Sequence, residues 1–293
     1  MIDTHAHLDF ENFDEDREEV IRRAFDNGVK KVINIGIDLE TSKKSIALAQ
    51  KHENIFAAAG VHPEYFTKHA TCNMKQGWIG ELRDLAKNKK VVATGEIGLD
   101  YYHITHNIKH GAKELNDIKE SQKAGFVSQI NLAKELGLPV AVHCRDAWED
   151  VHEIISKFSQ NSAFPFFEHS SQNSSKAIFS KFVLHCYSGN TDDTEKFLKL
   201  PNVYFSFSGN ITYPKPILRS EKLAKVVRMI PLDKMMLDSD SPFLAPQEKR
   251  GKRNEPANVR YIAEKIADIK EISVAEVEKI TDENAEIFFG IGQ

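Results

Sequence analysis

The segment IDTHAHLDFENFDEDREEVIRRAFDNGVKKVINIGI, Ile2 to Ile37, decides how this chain folds. It opens on a short run, Ile2 to His5, that reads as a buried strand, and it closes on another, Val32 to Ile37. Between them Val20, Ile21, Ala24 and Phe25 recur at helical spacing, in a segment that begins acidic and stops at Gly28. Acidic side chains suit the positive end of a helix, and glycine accepts the left-handed turn that ends one. Strand, amphipathic helix and strand make one βα unit that leads directly into the next.

The same alternation continues outward from this segment. Further strands are expected at Ile55 to Val61, Val91 to Ile97, Pro139 to His143, Phe182 to His185, Val203 to Ser206 and Met235 to Asp238. Val259, Ile262, Ala263, Ile266 and Ala267 mark a helix near the end. Ser273 with Glu276 forms a capping-box pattern opening a last helix that ends near Gly290. Eight strands separated by helices predict an α/β fold, a (β/α)8 TIM-like barrel, as one domain over residues 1–293. Two stretches read as insertions, His103 to Ser121 and Gln160 to Lys181. The second is Ser/Asn-rich and reads mainly as loop, with Phe164, Phe166 and Phe167 either tucked under the barrel edge or offered to unpaired bases.

Composition narrows the function classes. An apolar fraction of 41% and a charged fraction of 28% exclude disordered and fibrous chains. No apolar run reaches the ~18–20 residues of a membrane span, and the start lacks the basic and apolar regions of a secretory signal. Cys72, Cys144 and Cys186 are too scattered for a disulfide framework. The expectation is a cytoplasmic protein, or a nuclear one in a eukaryote, with reduced thiols, no membrane association and no obligate protein partner. A net charge of −4 gives no overall attraction for nucleic acid, so any phosphate contact must be local. The basic stretch Lys249-Arg250 with Lys252-Arg253 is either a solvated loop or part of such a contact.

His5, His7, Glu96, His143, His185 and Asp240 all fall at or just past expected strand C-terminal ends. In a barrel those ends converge on one face, where active sites form. His5 and His7 alternate along an extended segment and therefore point the same way. Imidazole with carboxylate and no thiolate suits Zn²⁺, Mn²⁺ or Mg²⁺. Glu96 can bridge two such ions, and two-metal sites suit phosphodiester hydrolysis. A single histidine at a strand end is usually structural, but burying several ligand-type groups at one end without a common partner is costly.

At these residues the chain resembles the TatD family of metal-dependent nucleases, within the amidohydrolase-like barrels. The matching segments are DTHAHLD (Asp3 to Asp9), GVHPE (Gly60 to Glu64), GEIGLDYY (Gly95 to Tyr102), PVAVHCRDA (Pro139 to Ala147), HCYSGN (His185 to Asn190), DSDSPFLAP (Asp238 to Pro246) and RNEPANV (Arg253 to Val259). The resemblance implies two divalent ions. His5 and His7 would hold one with Asp240, His143 and His185 the other, and Glu96 would lie between, with Asp240 also taking the proton of the attacking water. It further implies hydrolysis of DNA, single-stranded or from 3′ ends, with RNA as an additional partner. Asp238 stands where the family usually has Glu, and Ala6 where Cys is common.

Other residues carry open readings. Arg145 is a candidate phosphate contact or the partner of an ion pair with Asp146 or another carboxylate. Arg253 and Asn254 either position a substrate backbone or cap the helix that starts at Pro256. His62 is a candidate substrate contact near the mouth, and Asp100 reads as a supporting acid. His103, His106 and His110 read as exposed helix or lid residues, and Cys144 and Cys186 as side chains turned into packing. Two other functions share these features: hydrolysis of a different bond, such as an aminoacyl ester or an amide, and a non-catalytic nucleic-acid-binding scaffold. The lysines nearest the fourth strand, Lys89 and Lys90, precede it, whereas many barrels of this kind bridge their metals with a modified lysine on that strand.

Overall fold

The computed structural model describes residues 1–66, 77–106, 111–160 and 180–292. All eight expected strands are present: β1 Ile2–Ala6, β2 Lys31–Ile35, β3 Ile55–Ala59, β4 Val91–Asp100, β5 Val140–Arg145, β6 Phe182–Leu184, β7 Val203–Phe207 and β8 Met235–Leu237. They are parallel and ordered β1 to β8. The seam between β8 and β1 closes only at the C-terminal rim. There Asp240 N donates to His5 O at 2.9 Å, His7 N donates to Ser241 O at 2.8 Å, and Thr4 Oγ1 donates to Leu237 O at 2.8 Å. Barrel closure and the relative placement of His5, His7 and Asp240 are thus set by the same hydrogen bonds.

Around the strands run α1 Arg17–Asp26, α2 Leu39–Lys51, α3 Trp78–Ala86, α4 Tyr101–His106, α5 Ala112–Leu136, α6 Trp148–Gln160, α7 Thr191–Leu198, α8 Ile217–Met229, α9 Val259–Lys270 and α10 Val274–Phe289. Val20, Ile21 and Ala24 are the buried face of α1, and Val259, Ile262, Ala263, Ile266 and Ala267 that of α9. Ser273 caps α10 by accepting from Glu276 N, and Gly290 closes it at φ 67°. Inside the barrel, early strand residues Ile2, Val92, Ala141, Val183 and Met236 cluster with Phe288, Phe289 and Ile291. The last helix therefore plugs the N-terminal end, which leaves the opposite end free for chemistry.

One expected insertion is regular structure. Of His103 to Ser121, the described residues form the end of α4 and the first turns of α5. The apolar period is hidden because those turns are polar; burial begins at Ile118 and continues through Gln122, Gly125, Phe126, Gln129, Ile130 and Ala133. The two glutamines are buried because each clamps a strand end. Gln129 accepts from Val61 N at 2.8 Å and donates to Val61 O at 3.0 Å, and Gln122 accepts from Asp100 N at 3.0 Å and donates to Asp100 O at 3.2 Å. Such pairing offsets the cost of burying the amides and fixes the backbone beside His62 and at Asp100. His110, Phe164, Phe166 and Phe167 lie outside the described residues, as does most of the second stretch.

Gly98 joins the two strands that carry Glu96 and His143. Its φ is 153°, and a β-carbon there would lie 1.9 Å from His143 O. Only glycine tolerates both the dihedral and that approach. Gly98→Ala is expected to destabilise the fold by about 3 kcal/mol or more, read as a lower midpoint in urea denaturation.

Candidate metal centre

Strand ends bring His5, His7, Glu96, His143, His185 and Asp240 into one cavity of about 510 Å³, whose lining includes five of them, with His5 packed just behind. Glu96 lies at the middle and divides its carboxylate. Oε2 is 3.4 Å from His5 Nε2 and 3.9 Å from His7 Nε2. Oε1 is 2.6 Å from both His143 Nδ1 and His185 Nε2, and 3.7 Å from His62 Nε2. Asp240 Oδ1 lies 3.7 Å from His7 Nε2 and 4.0 Å from His5 Nε2. Two half-sites thus meet on one acid, and three compact ligand groups share it or adjoin it: His5 with His7 and Glu96, His5 with His185 and Asp240, and His62 with Glu96 and His143.

The donor set fits a divalent cation. His7 Nδ1 donates to Ile35 O at 3.0 Å, which fixes the tautomer and leaves the Nε2 lone pair turned inward. His5 Nε2 is 3.2 Å from that same atom, and neither the buried His5 Nδ1 nor His185 Nδ1 has a hydrogen-bond partner among the described residues. Burial, with His185 nearby, pushes His5 down to about 4, and burial also lowers His7, so both present neutral imidazole. Burial, together with the Asp238 and Glu96 charges and against the pull of His185, pushes Asp240 up to about 8. An acid crowded by Asp238 and Glu96 and facing the neutral His5 and His7 calls for a cation.

On the other side, burial disfavours the charged forms but is outweighed. His185, His143 and His62 hold Glu96 well below the usual carboxylate range, while Glu96 and Asp100 lift His143 to about 10. Asp100, fully buried, accepts from His143 Nε2 at 3.1 Å, leaving Nδ1 towards Glu96. Its other neighbour is His103, whose Nδ1 lies 2.6 Å away and also 2.9 Å from Glu64 Oε1. His103 is therefore not the exposed lid residue expected from its polar surroundings. It lines the cavity with Glu64, while His106 is exposed and stacked on Tyr102.

Arg145 and His62 line the cavity, Arg145 with its guanidinium 4.0 Å over the Tyr102 ring. Arg253 and Asn254 do not. Arg253 pairs with Asp16 at 2.6 Å and lies over Phe13, and the buried Asn254 donates to Ser239 O at 2.7 Å while accepting from Asn258. Arg253 is held by a partner far away in sequence, whereas Asn254 also ties down the start of the following helix, its Oδ1 accepting from Glu255 N at 3.0 Å and from Asn258 Nδ2 at 2.8 Å. In the basic stretch, Lys249 lies over Tyr261 and Arg250 over Tyr213. The second cation of the cavity is Arg219, at the start of α8, which no sequence signal singled out.

Cys144 packs into the core while also bordering the cavity, and Cys186 lines the cavity beside His185, contrary to the alternation expected of a strand. The reason is local: β6 ends at Leu184, and Cys186 has φ 45°. Burial raises both thiols well above their ordinary range, and neither belongs to the compact ligand groups found among the described residues. Asp238 accepts from Cys186 N at 2.9 Å and from the hydroxyls of Ser206 and Ser208, which meet this acid's short side chain.

A parallel (β/α)8 barrel with an imidazole and carboxylate cluster on its C-terminal rim defines a metal-dependent hydrolase. The family model described as TatD related DNase matches residues 2–290, and the chain belongs to that family. It is 36% identical over 291 residues, 99% of each chain, to the uncharacterized metal-dependent hydrolase YabD of Bacillus subtilis. It is 28% identical to the 3′-5′ ssDNA/RNA exonuclease TatD of Escherichia coli over 295 residues, again 99% of each. Among solved structures, the TatD homolog YjjV from Escherichia coli superposes with a TM-score of 0.80 at 26% identity, covering 100% of this chain and 98% of that one. No helix among the described residues is long and apolar enough to cross a membrane.

Proposed function

We propose that this hydrolase is a two-metal exonuclease that shortens single-stranded DNA from its 3′ end, with RNA as a second substrate. The observation that carries this reading is the division of Glu96, one oxygen facing His5 and His7, the other His143 and His185. His5, His7 and Asp240 would hold one divalent ion, Mg²⁺, Mn²⁺ or Zn²⁺, and His143 with His185 the other. When bound, such a pair supplies an activated water and positive charge against the departing oxygen. Asp240 would take the proton of the attacking water, and Arg145, held against Tyr102, would bind a phosphate oxygen. The relative named as a 3′-5′ ssDNA/RNA exonuclease supports the substrate class.

The test is digestion of a 5′-labelled single strand with Mg²⁺ or Mn²⁺, beside a chelated sample. A ladder shortening from the 3′ end, lost on chelation and restored by metal, is expected. An intact strand, with metal shown to be bound and RNA equally untouched, would end this reading and turn the search to ester and amide substrates, or to binding without turnover.

A further inference from the structure

We infer that Phe10 and Phe243 form a stacking subsite for an unpaired nucleobase beside the scissile phosphate, an inference that rests on the nuclease reading above. Phe243 is 50% exposed, one of four large apolar side chains left in solvent among the described residues, and it lines the same cavity as Phe10, His7 and Asp240. Its ring is edge-on to Phe10 at 6.1 Å, and Phe10 in turn stacks on His7 at 4.6 Å. The backbone beneath is anchored: Phe243 N donates to Asp240 O at 2.8 Å and Asn254 N to Pro242 O at 3.1 Å. This aromatic wall is therefore built in place at the β8 and β1 rim, next to the proposed metal ligands.

Across the barrel, on the β4 and β5 side, the lining is of opposite character, with Arg145 braced on Tyr102. Aromatic faces on one side, a guanidinium on the other and a metal-ligand floor between them match one ligand chemistry: a planar base joined to consecutive phosphates. Stacking is tolerant of base identity because every base has a π face. A base still paired and stacked in a duplex cannot offer that face, so the wall would select single strands.

The test compares three single-stranded oligonucleotides: one unmodified, one with a tetrahydrofuran abasic residue at the 3′ terminus, and one with it at the penultimate position. For the wild type, one of the two abasic strands should be shortened about 5- to 100-fold more slowly in kcat/KM. Phe243→Ala should slow the unmodified strand by a similar factor and erase the difference between strands, whereas Phe243→Tyr should keep it. Equal wild-type rates on all three strands, or discrimination that survives Phe243→Ala, would overturn the subsite alone. Wild-type failure on all three would overturn the nuclease reading and the subsite with it.

Discussion

Glu96→Gln is expected to lose metal and activity together. The substitution preserves volume and one acceptor oxygen, but it removes the charge that both halves of the cluster share. Glu96 touches His143 and His185 at 2.6 Å and faces His5 at 3.4 Å, so no neighbouring acid can take its place at the middle. An amide puts an N–H donor where one half-site needs an acceptor, and whichever way it is oriented one set of imidazoles is left without an anionic partner. Hydrolysis should fall by about a thousandfold or more, and calorimetric titration with Mn²⁺ should show fewer ions bound. Full stoichiometry with full activity would show that the divided carboxylate is not what organises the centre.

Asp240→Asn should separate binding from turnover. Asparagine tolerates the left-handed backbone seen here, φ 52°, so the seam to His5 O stays intact. Its carbonyl oxygen still offers a neutral donor to a cation, yet it cannot take a proton. A fall in kcat of about 10²- to 10⁴-fold is expected, with metal affinity lowered far less than in Glu96→Gln. Parallel metal titrations and single-turnover cleavage of labelled DNA distinguish the two variants. Retention of kcat would move the proton-accepting role to another group.

The expected strands that carry the site were close to those observed, though not at their ends: β4 runs to Asp100 and β5 to Arg145, beyond the apolar runs that announced them. Those extensions, Gly98-Leu99-Asp100 and Cys144-Arg145, mix a core side chain with a charged one, so the apolar run breaks while strand pairing continues. The start of α5 was illegible for a related reason, since its first turns bury little. Arg253 and Asn254 sit in a segment that invites a substrate-binding reading, and only their distant partners, Asp16 and Ser239, show them bracing the chain.

By itself, the sequence determined the alternation of strand and helix, the eight-stranded barrel and the gathering of His5, His7, Glu96, His143, His185 and Asp240 at one rim. These follow from periodicity, because a regular backbone repeats its side-chain directions and a parallel barrel puts all strand C-termini on one face. The tertiary structure alone decided that Glu96 splits its oxygens between two imidazole sets, that His103 joins Asp100 and Glu64, that Cys186 faces the cavity, and that Phe10, Phe243 and Arg219 frame its mouth. Those outcomes depend on rim loops and on partners far apart in the chain. A loop has no period, so a single positive φ, as at Cys186 or Asp240, can turn a side chain into the cavity without a trace in the pattern.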